Sequence, residues 1–298
     1  MMHWHILGAG AIGLLWADKL IRSGHQVTLI LRNQDKLDQY SGEFSITDDG
    51  QETRHKVDAQ LASEAEPVSN LLITTKSFAS TAAFNSVKSR TSDSTRVLLL
   101  HNGMGPQQQL VEENPTLEVW AGSTTDGAYF SAPFILIRAG KGETRIGRLS
   151  QQGSEQLFNE LNCDQNPLLL ETDIISVLWR KLAINCAINP LTALFNCRNG
   201  ELLKYDDRRA AMAQICKEVE QVASALNITL FDCKLMEQAW NIAELTGQNH
   251  SSMQQDVSQG RPTEIETITG YLCQEAERMG INVPANQMTL DAIRSISL

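Results

Sequence analysis

Short apolar runs alternate with amphipathic segments through the first half of this chain of 298 residues. Short continuous apolar runs are typical of strands buried in a parallel sheet, and the intervening segments have the period of helices. Strands that alternate with helices predict an α/β fold with a doubly wound parallel sheet. The predicted strands cover 3–7, 27–31, 68–75, 95–101 and 117–122, and the predicted helices cover 11–23, 34–40, 81–89 and 107–113.

Two further patterns interrupt that alternation. A polar segment with a central Asp48-Asp49-Gly50 predicts a hairpin insertion that starts near Phe44. Apolar runs at 128–130, 134–137 and 144–147 predict hairpin strands that close the main sheet with an antiparallel edge.

Long segments with a helical period replace the strands in the rest of the chain. They predict helices over 174–189, 208–226, 263–279 and a further one from 233 onward. The change of pattern, near Asn166-Pro167, predicts a sheet-containing domain over 1–168 and an all-helical domain over 169–298.

A glycine-rich turn joins the first predicted strand to the first predicted helix. In the G-x-G-x-x-G pattern, the first glycine permits a tight turn, the second admits a pyrophosphate, and the third allows helix–sheet packing. The strand before the turn and the helix and strand after it favour a dinucleotide-binding, Rossmann-type domain over a turn without a ligand. The turn consists of Gly8, Ala9, Gly10, Ala11, Ile12 and Gly13.

Arg32 ends the second predicted strand, where an acidic residue would favour the ribose 2′-hydroxyl of NAD. An arginine suits a 2′-phosphate instead, so the sequence predicts NADPH as the cofactor. A solvated arginine at a strand end is the alternative.

Lys76 and Asn102 each follow a predicted parallel strand, at the sheet edge where α/β folds bind ligands. A role beside the cofactor is therefore predicted for both. A surface amine is the alternative for Lys76. A turn residue is the alternative for Asn102, because Asn-Gly pairs are common in turns.

Three polar residues recur at intervals of four on the first long helix, which places Lys181, Asn185 and Asn189 on one face. Amides and an ammonium on an apolar helix need polar partners, and a bound ligand would provide them. The alternative is a lysine that reaches solvent and an asparagine that marks a helix end before Pro190.

A last polar cluster covers 249–266. It can line a substrate site, or Thr263 and Glu266 can form a capping box that starts a helix, with Asn249 or Ser252 in a capping role.

Taken together, these motifs resemble the ketopantoate reductase (2-dehydropantoate 2-reductase) family. The resemblance covers nearly the whole chain, although His101 stands where members commonly have glutamine. The motifs that carry it are the 8–13 turn with Arg32, the Asn102-Gly103-Met104-Gly105 loop, Lys181-x-x-x-Asn185-x-x-x-Asn189-Pro190, Arg198-Asn199-Gly200-Glu201-Leu202 and Asn249-x-x-Ser252-Met-x-x-Asp256 with Arg261-x-Thr-Glu264.

The resemblance implies a helical second domain like that of 6-phosphogluconate dehydrogenase and reduction of ketopantoate to pantoate by NADPH. It implies that Lys181 is the proton donor and that Glu264 contributes to catalysis near the nicotinamide. Arg32, Lys76, Asn102 and Ala128 are implied to line the cofactor cleft. The implied substrate-binding residues are Asn102, Lys181, Asn185, Asn189, Asn199, Asn249 and Ser252.

Composition limits the class of protein. Hydrophobic residues make up 42% and charged residues 20%, and the net charge is −10. An acidic chain without a basic stripe is not expected to bind nucleic acid. Six cysteines without a C-x-x-C pair indicate reduced thiols rather than a zinc site or disulfides. Without an apolar run of membrane-spanning length or a leader before the first strand, we expect a cytoplasmic monomer or homodimer without a metal.

Two other functions remain open. A related NADP-dependent β-hydroxyacid or polyol-phosphate dehydrogenase has the same architecture, and a phosphate substrate would need grouped cations, with Arg180, Arg198 and Arg261 as candidates. A dinucleotide-sensing protein would keep the glycine turn but have no use for Lys181.

Overall fold

The computed structural model describes residues 1–297, which form two compact units. The first unit contains Met1–His101 and Pro106–Ile174, and the second contains Asn102–Gly105 and the residues from Ile175 onward. The units therefore separate six residues beyond the boundary predicted at 168, and a short loop from the middle of the sheet region joins the second unit.

Twelve strands lie in the first unit, in two sheets. They are β1 (His3–Leu7), β2 (Gln26–Leu31), β3 (Glu43–Asp48), β4 (Gln51–Lys56), β5 (Asp58–Leu61), β6 (Asn70–Ile73), β7 (Arg96–Leu99), β8 (Glu118–Thr124), β9 (Gly127–Ala132), β10 (Ile135–Gly140), β11 (Thr144–Arg148) and β12 (Leu169–Leu170). The helices of this unit are α1 (Ala11–Arg22), α2 (Gln34–Asp38), α3 (Ser77–Val87), α4 (Pro106–Glu113) and α5 (Gln156–Leu161), with a 3₁₀ turn at Lys88–Arg90.

The main sheet has eight strands in the order β12-β11-β8-β7-β6-β1-β2-β5. The strands from β8 to β5 are parallel, and β11 pairs antiparallel with β8. This arrangement confirms the predicted Rossmann-type sheet with an antiparallel edge. Since β1 has β2 on one side and β6 on the other, the direction of winding reverses there, which is where such sheets bind ligands.

Apolar residues cover both faces of the main sheet. Along β1, Ile6 belongs to the core that includes Trp16 of α1, whereas Leu7 belongs to the core that includes Phe84 of α3. Successive strand residues point to opposite faces. The continuous apolar runs in the sequence therefore reflect burial on both sides, as expected for a parallel sheet.

The second sheet has the order β4-β3-β10-β9. The hairpin predicted near Phe44 forms between β3 and β4, and its turn residues Asp49 and Gly50 have φ angles of 50° and 79°. The prediction that 128–137 closes the main sheet is wrong: β9 and β10 pair with each other and with β3. Their period-2 pattern predicted strands but could not identify the partner strand.

Buried charges connect the second sheet to α1. Arg138 of β10, whose side chain is 8% exposed, lies 3.7 Å from Asp18 Oδ2 and 3.6 Å from Asp126 Oδ1. Lys19 Nζ donates to Asp126 Oδ2 at 2.6 Å, and His55 Nε2 lies 2.8 Å from Asp18 Oδ1. These ion pairs fix α1, and thus the turn before it, against the second sheet.

Helices make up the second unit, as predicted. They are α6 (Ile174–Leu194), α7 (Asp206–Ala225), α8 (Leu235–Leu245), α9 (Ser252–Ser258), α10 (Tyr271–Arg278) and α11 (Pro284–Ile296), with a 3₁₀ turn at Asn199–Leu203 and a π turn at Glu266–Gly270. Within residues 1–297, each helix is either too short or too polar to be a membrane span.

The first long helix continues past Pro190 to Leu194, so the alternative in which Asn189 marks a helix end is wrong. The hydroxyl of Thr192 lies 3.0 Å from the carbonyl oxygen of Ile188 and 2.9 Å from that of Asn189. These contacts span the turn that contains Pro190, which itself cannot donate a backbone hydrogen bond.

Candidate active site

The glycine turn is fixed by its contacts with the end of β6. Gly8 has φ +111°, and a Cβ there would lie 2.7 Å from the backbone nitrogen of Thr75. A Cβ on Gly13 would lie 2.1 Å from the carbonyl oxygen of Gly8 and 2.6 Å from Thr74 Oγ1. Thr74 donates to the same carbonyl at 2.6 Å. Glycine is therefore required at both positions for packing, as predicted from the motif.

Gly10 differs from Gly8 and Gly13, the other two glycines of the turn. A Cβ on Gly10 would meet nothing within 4 Å among the residues described. Gly10 is also the N-cap of α1, and no described side chain caps this helix and no acidic residue lies in its first turn. The open space and the free end of the helix can accommodate an anion. Ala9, Ala11 and Ile12 are partly exposed along the same turn.

The other predicted cofactor residues of the first unit lie near strand ends. Arg32 directly follows β2 and is exposed. Lys76 is the residue before α3. The strand that precedes it, β6, ends at Ile73, two residues before the end of the predicted strand 68–75. Ala128 is a half-buried residue of β9 in the second sheet.

The loop Asn102–Gly105 packs against the helical unit. The backbone nitrogen of Met104 donates to the carbonyl oxygen of Thr267 at 2.8 Å. Gly103 has φ +75°, and a Cβ there would lie 2.5 Å from Thr267 Oγ1. The turn conformation expected of an Asn-Gly pair is thus present, and it also brings the loop against the π turn.

Three predicted site residues meet in the second unit. Asn102 Nδ2 donates to Glu264 Oε2 at 3.2 Å, and Glu264 is 4% exposed. Burial lowers the pKa of Lys181 to about 8, and the charge of Glu264 counteracts part of that shift. The cluster therefore combines a buried carboxylate, a carboxamide and a lysine that can release its proton near neutral pH.

Asn185 and Asn189 follow Lys181 at helical intervals along α6, which places the three on one face. Asn185 is partly exposed, and Asn189 is 7% exposed.

Asn199 and Asn249 are connected through the backbone. The Asn199 nitrogen donates to the Asn249 carbonyl at 3.0 Å, and Asn199 Nδ2 donates to Thr246 Oγ1 at 2.9 Å. Asn199 therefore holds the 246–249 segment in place, while Asn249 itself is exposed.

Ser251, not Ser252 or Asn249, is the N-cap of α9, where its hydroxyl accepts from the Gln254 nitrogen. Ser252 is the first residue of the helix and is exposed. A hydroxyl in either position fits the sequence pattern, so the pattern could not distinguish neighbouring serines.

The predicted capping box of Thr263 and Glu266 is also wrong. Glu266 pairs with Arg294 of α11, and its π turn has no side-chain cap. The ion pair between Glu266 and Arg294 replaces the hydrogen bonds expected of a capping box. Glu264 is buried beside Asn102.

The sequence did not predict three residues that hold segments of the candidate site in place, namely Thr267, Ser251 and Thr192. Thr267 holds the Asn102 loop, and Thr192 Oγ1 lies 2.7 Å from Ser251 Oγ, which connects α6 to α9. The sequence signal for the contact of Thr267 was the glycine at position 103, because glycine permits a close approach of two backbones.

Two family models match the chain. "Ketopantoate reductase PanE/ApbA" matches residues 4–151, and "Ketopantoate reductase PanE/ApbA C terminal" matches residues 173–297. A 2-dehydropantoate 2-reductase of Vibrio cholerae is 34% identical over 295 residues, which cover 98% of this chain and 96% of that protein.

Solved structures are similar over the same length. A PanE/ApbA family ketopantoate reductase from Ralstonia eutropha JMP134 has a TM-score of 0.89 and 27% identity, covering 99% of this chain and 98% of the other. A D-mandelate dehydrogenase solved with NADH and anilino(oxo)acetate has a TM-score of 0.91 over the same shares of the two chains, but its 23% identity supports the fold alone. From the family models and the Vibrio relative, we conclude that the chain belongs to the ketopantoate reductase family.

Proposed function

We propose that the protein reduces 2-dehydropantoate (ketopantoate) to (R)-pantoate with NADPH, a step in the biosynthesis of pantothenate. The observation that carries the proposal is the cluster of Lys181, Glu264 and Asn102 in a member of this family.

The glycine turn fits a nicotinamide dinucleotide. Gly8 and Gly13 are required by packing, but Gly10 faces open space, as the approach of a pyrophosphate requires. The uncapped first turn of α1 offers backbone N–H groups and the positive end of the helix dipole to phosphate oxygens.

Arg32 supports NADPH over NADH. Its exposed guanidinium directly follows β2, the position that a 2′-phosphate on the adenosine ribose reaches in this fold. Lys76, at the start of α3, is the second cation proposed for the adenosine phosphates, and Ala128 is proposed to line the same cleft.

When bound, NADPH supplies the hydride that is added to C2 of the keto acid. Negative charge then develops on the C2 oxygen. Lys181, as an ammonium, stabilises this charge and donates the proton that completes the hydroxyl group. Its pKa of about 8 is lower than that of an ordinary lysine, which makes the ammonium a better acid near neutral pH.

Glu264 and Asn102 orient these groups. The Glu264 carboxylate favours the charged form of Lys181, and its hydrogen bond to Asn102 fixes the Asn102–Gly105 loop within the second unit. Glu264 is further proposed to contact the nicotinamide end of the cofactor.

The asparagines and the serine are proposed to hold the substrate. Amides and hydroxyls can bind a carboxylate and a terminal hydroxyl without adding charge. We assign this role to Asn185, Asn189, Asn199, Asn249 and Ser252, together with Asn102 and Lys181.

The experiment is a turnover assay that follows the loss of NADPH absorbance on addition of ketopantoate, with other 2-keto acids as comparison substrates. We expect ketopantoate to give the highest kcat/KM. Similar rates with unrelated 2-keto acids would contradict the proposed substrate, and an absence of turnover with all of them would contradict the catalytic role.

The cofactor preference is tested with Arg32→Glu. The variant should lose much of the preference for NADPH, because a carboxylate repels the 2′-phosphate and can accept from a ribose hydroxyl. An unchanged NADPH/NADH ratio would contradict the role of Arg32.

A phosphate-bearing substrate is less well supported. Arg198 Nη1 donates to the carbonyl oxygen of Gln248, and Arg261 is paired with Asp256 at 2.8 Å. Two of the three cations proposed for a phosphate thus have structural partners. A cytoplasmic location and a monomer or homodimer remain the predictions from the sequence.

A further inference from the structure

A cluster of potential metal ligands lies at the amino-terminal end of β1. His3, His5 and Glu66 each offer one ligand atom, and these atoms all lie within 4.8 Å of one another. His3 and His5 are two residues apart on a strand, so their side chains point to the same face. Glu66 is contributed by the segment that precedes β6.

Each imidazole ring has one nitrogen atom near the Glu66 carboxylate. His3 Nδ1 lies 3.8 Å from Glu66 Oε1, and His5 Nε2 lies 3.6 Å from Glu66 Oε2. Donor atoms around a tetrahedral zinc ion lie about 3.4 Å apart, so the two distances to Glu66 need to shorten by only about 0.2–0.4 Å. The Glu66 side chain is 49% exposed and can move to close the site.

The buried histidine supports a ligand at this place. His5 is 1% exposed, and in residues 1–297 neither of its ring nitrogens has a hydrogen-bond partner. A buried polar group without a partner is costly, and a bound cation would remove that cost for the nitrogen that faces Glu66.

A second contact orients the other ring. His3 Nε2 lies 2.8 Å from Thr28 Oγ1 of β2, which leaves Nδ1 for a metal. Metal-binding histidines usually have such a partner on the other nitrogen. Arg90, whose Nε donates to the Glu66 carbonyl oxygen at 2.7 Å, adds a positive charge nearby that weakens cation binding.

We propose that His3, His5 and Glu66 bind a divalent transition-metal ion, with Zn²⁺ as the best fit. Two imidazoles and one carboxylate form a known zinc ligand set, and solvent fills the remaining position. The site would join β1 to the segment before β6. It would stabilise the first unit and take no part in the reduction, because it lies at the opposite end of β1 from Gly8.

The test is calorimetric titration of the purified full-length protein with ZnCl₂ after treatment with a chelator. We expect one ion per chain and an increase in melting temperature at saturation. His5→Ala and Glu66→Gln should each lower the affinity by more than about 10-fold, the lower limit for loss of even an outer partner. The Glu66→Gln variant is expected to fold normally even if His5→Ala does not, since the Glu66 side chain is half exposed.

His25→Ala is the matched control. His25 lines the same groove as His3 and Glu66, but its Nδ1 accepts from the Met2 nitrogen at 3.2 Å, and it is outside the ligand set. The variant should retain one zinc ion per chain. Absence of zinc binding by the unmodified protein, or an unchanged affinity in Glu66→Gln and His5→Ala, would overturn the proposal. Turnover of ketopantoate is followed in parallel and should not change in Glu66→Gln.

Discussion

At the scale of single residues, the environment of Lys181 determines its chemistry. Burial disfavours the ammonium, the carboxylate of Glu264 favours it, and the balance gives a pKa of about 8. The sequence predicted Lys181 by its position on a polar helix face. It could not predict the pKa, since that depends on a carboxylate more than eighty residues away in the chain.

Replacement of Lys181 by alanine should lower kcat by about 10²- to 10⁴-fold, the range for loss of a positioned general acid. The measurement is steady-state turnover of ketopantoate at saturating NADPH. A matched control is Lys217→Ala on α7, which should turn over normally. A near-normal kcat in Lys181→Ala would contradict the proposal that Lys181 is the proton donor.

The pH profile gives an independent test. Since the ammonium form is the acid, kcat/KM for ketopantoate reduction should fall as pH rises through about 8. In Lys181→Arg the charge persists at higher pH, so any residual activity should not show this falling limb. A limb at the same pH in both enzymes would assign it to another group.

At the scale of elements, periodicity predicted most strands and helices, because burial on both faces of the main sheet imposes continuous apolar runs. It missed β5, β12, α5, α9 and α11, and it misplaced the strands β9 and β10. Strand partners depend on contacts distant in sequence, which no local pattern records. The helix predicted over 263–279 contains the π turn Glu266–Gly270, in which Glu266 pairs with Arg294 of α11.

Two glycines of the turn before α1 should respond differently to alanine. Gly13→Ala should lower the free energy of unfolding by about 1–3 kcal/mol, because the added Cβ overlaps the Gly8 carbonyl oxygen. Gly10→Ala should change it by less than about 1 kcal/mol but raise the KM for NADPH, because the methyl group fills the space proposed for the pyrophosphate.

Urea unfolding and NADPH-dependent kinetics measure the two effects separately. Equal loss of stability in both variants would contradict the open space at Gly10. An unchanged KM in Gly10→Ala would contradict the position of the cofactor.

At the scale of the whole molecule, buried ion pairs join segments of the chain that no sequence pattern predicted to be in contact. Burial would raise the pKa of Asp126, but the hydrogen bonds from Lys19 and the Gly142 nitrogen outweigh it, and the pKa lies below its usual value. The carboxylate therefore stabilises the fold above the pKa of an unfolded aspartate, and this contribution is lost as pH falls through the lowered value.

Arg138→Met should lower the free energy of unfolding by about 3 kcal/mol, at the low end of the range for a broken buried ion pair, because Lys19 still faces Asp126. Arg54→Met, on β4 of the same sheet, is the control. Arg54 is exposed, and its loss should leave stability almost unchanged. Equal effects of the two substitutions would show that the Arg138 pairs do not hold the second sheet to α1.

The membership of Asn102–Gly105 in the helical unit has a consequence for dissecting the protein. A fragment that starts at Ile175 would lack Met104, which is 1% exposed and bonded to Thr267. The core of this fragment would contain an empty space where the Met104 side chain packs in the whole protein. Addition of a peptide that contains residues 102–105 should fill that space, whereas a cut before Ile175 alone leaves the helical unit without one of its segments.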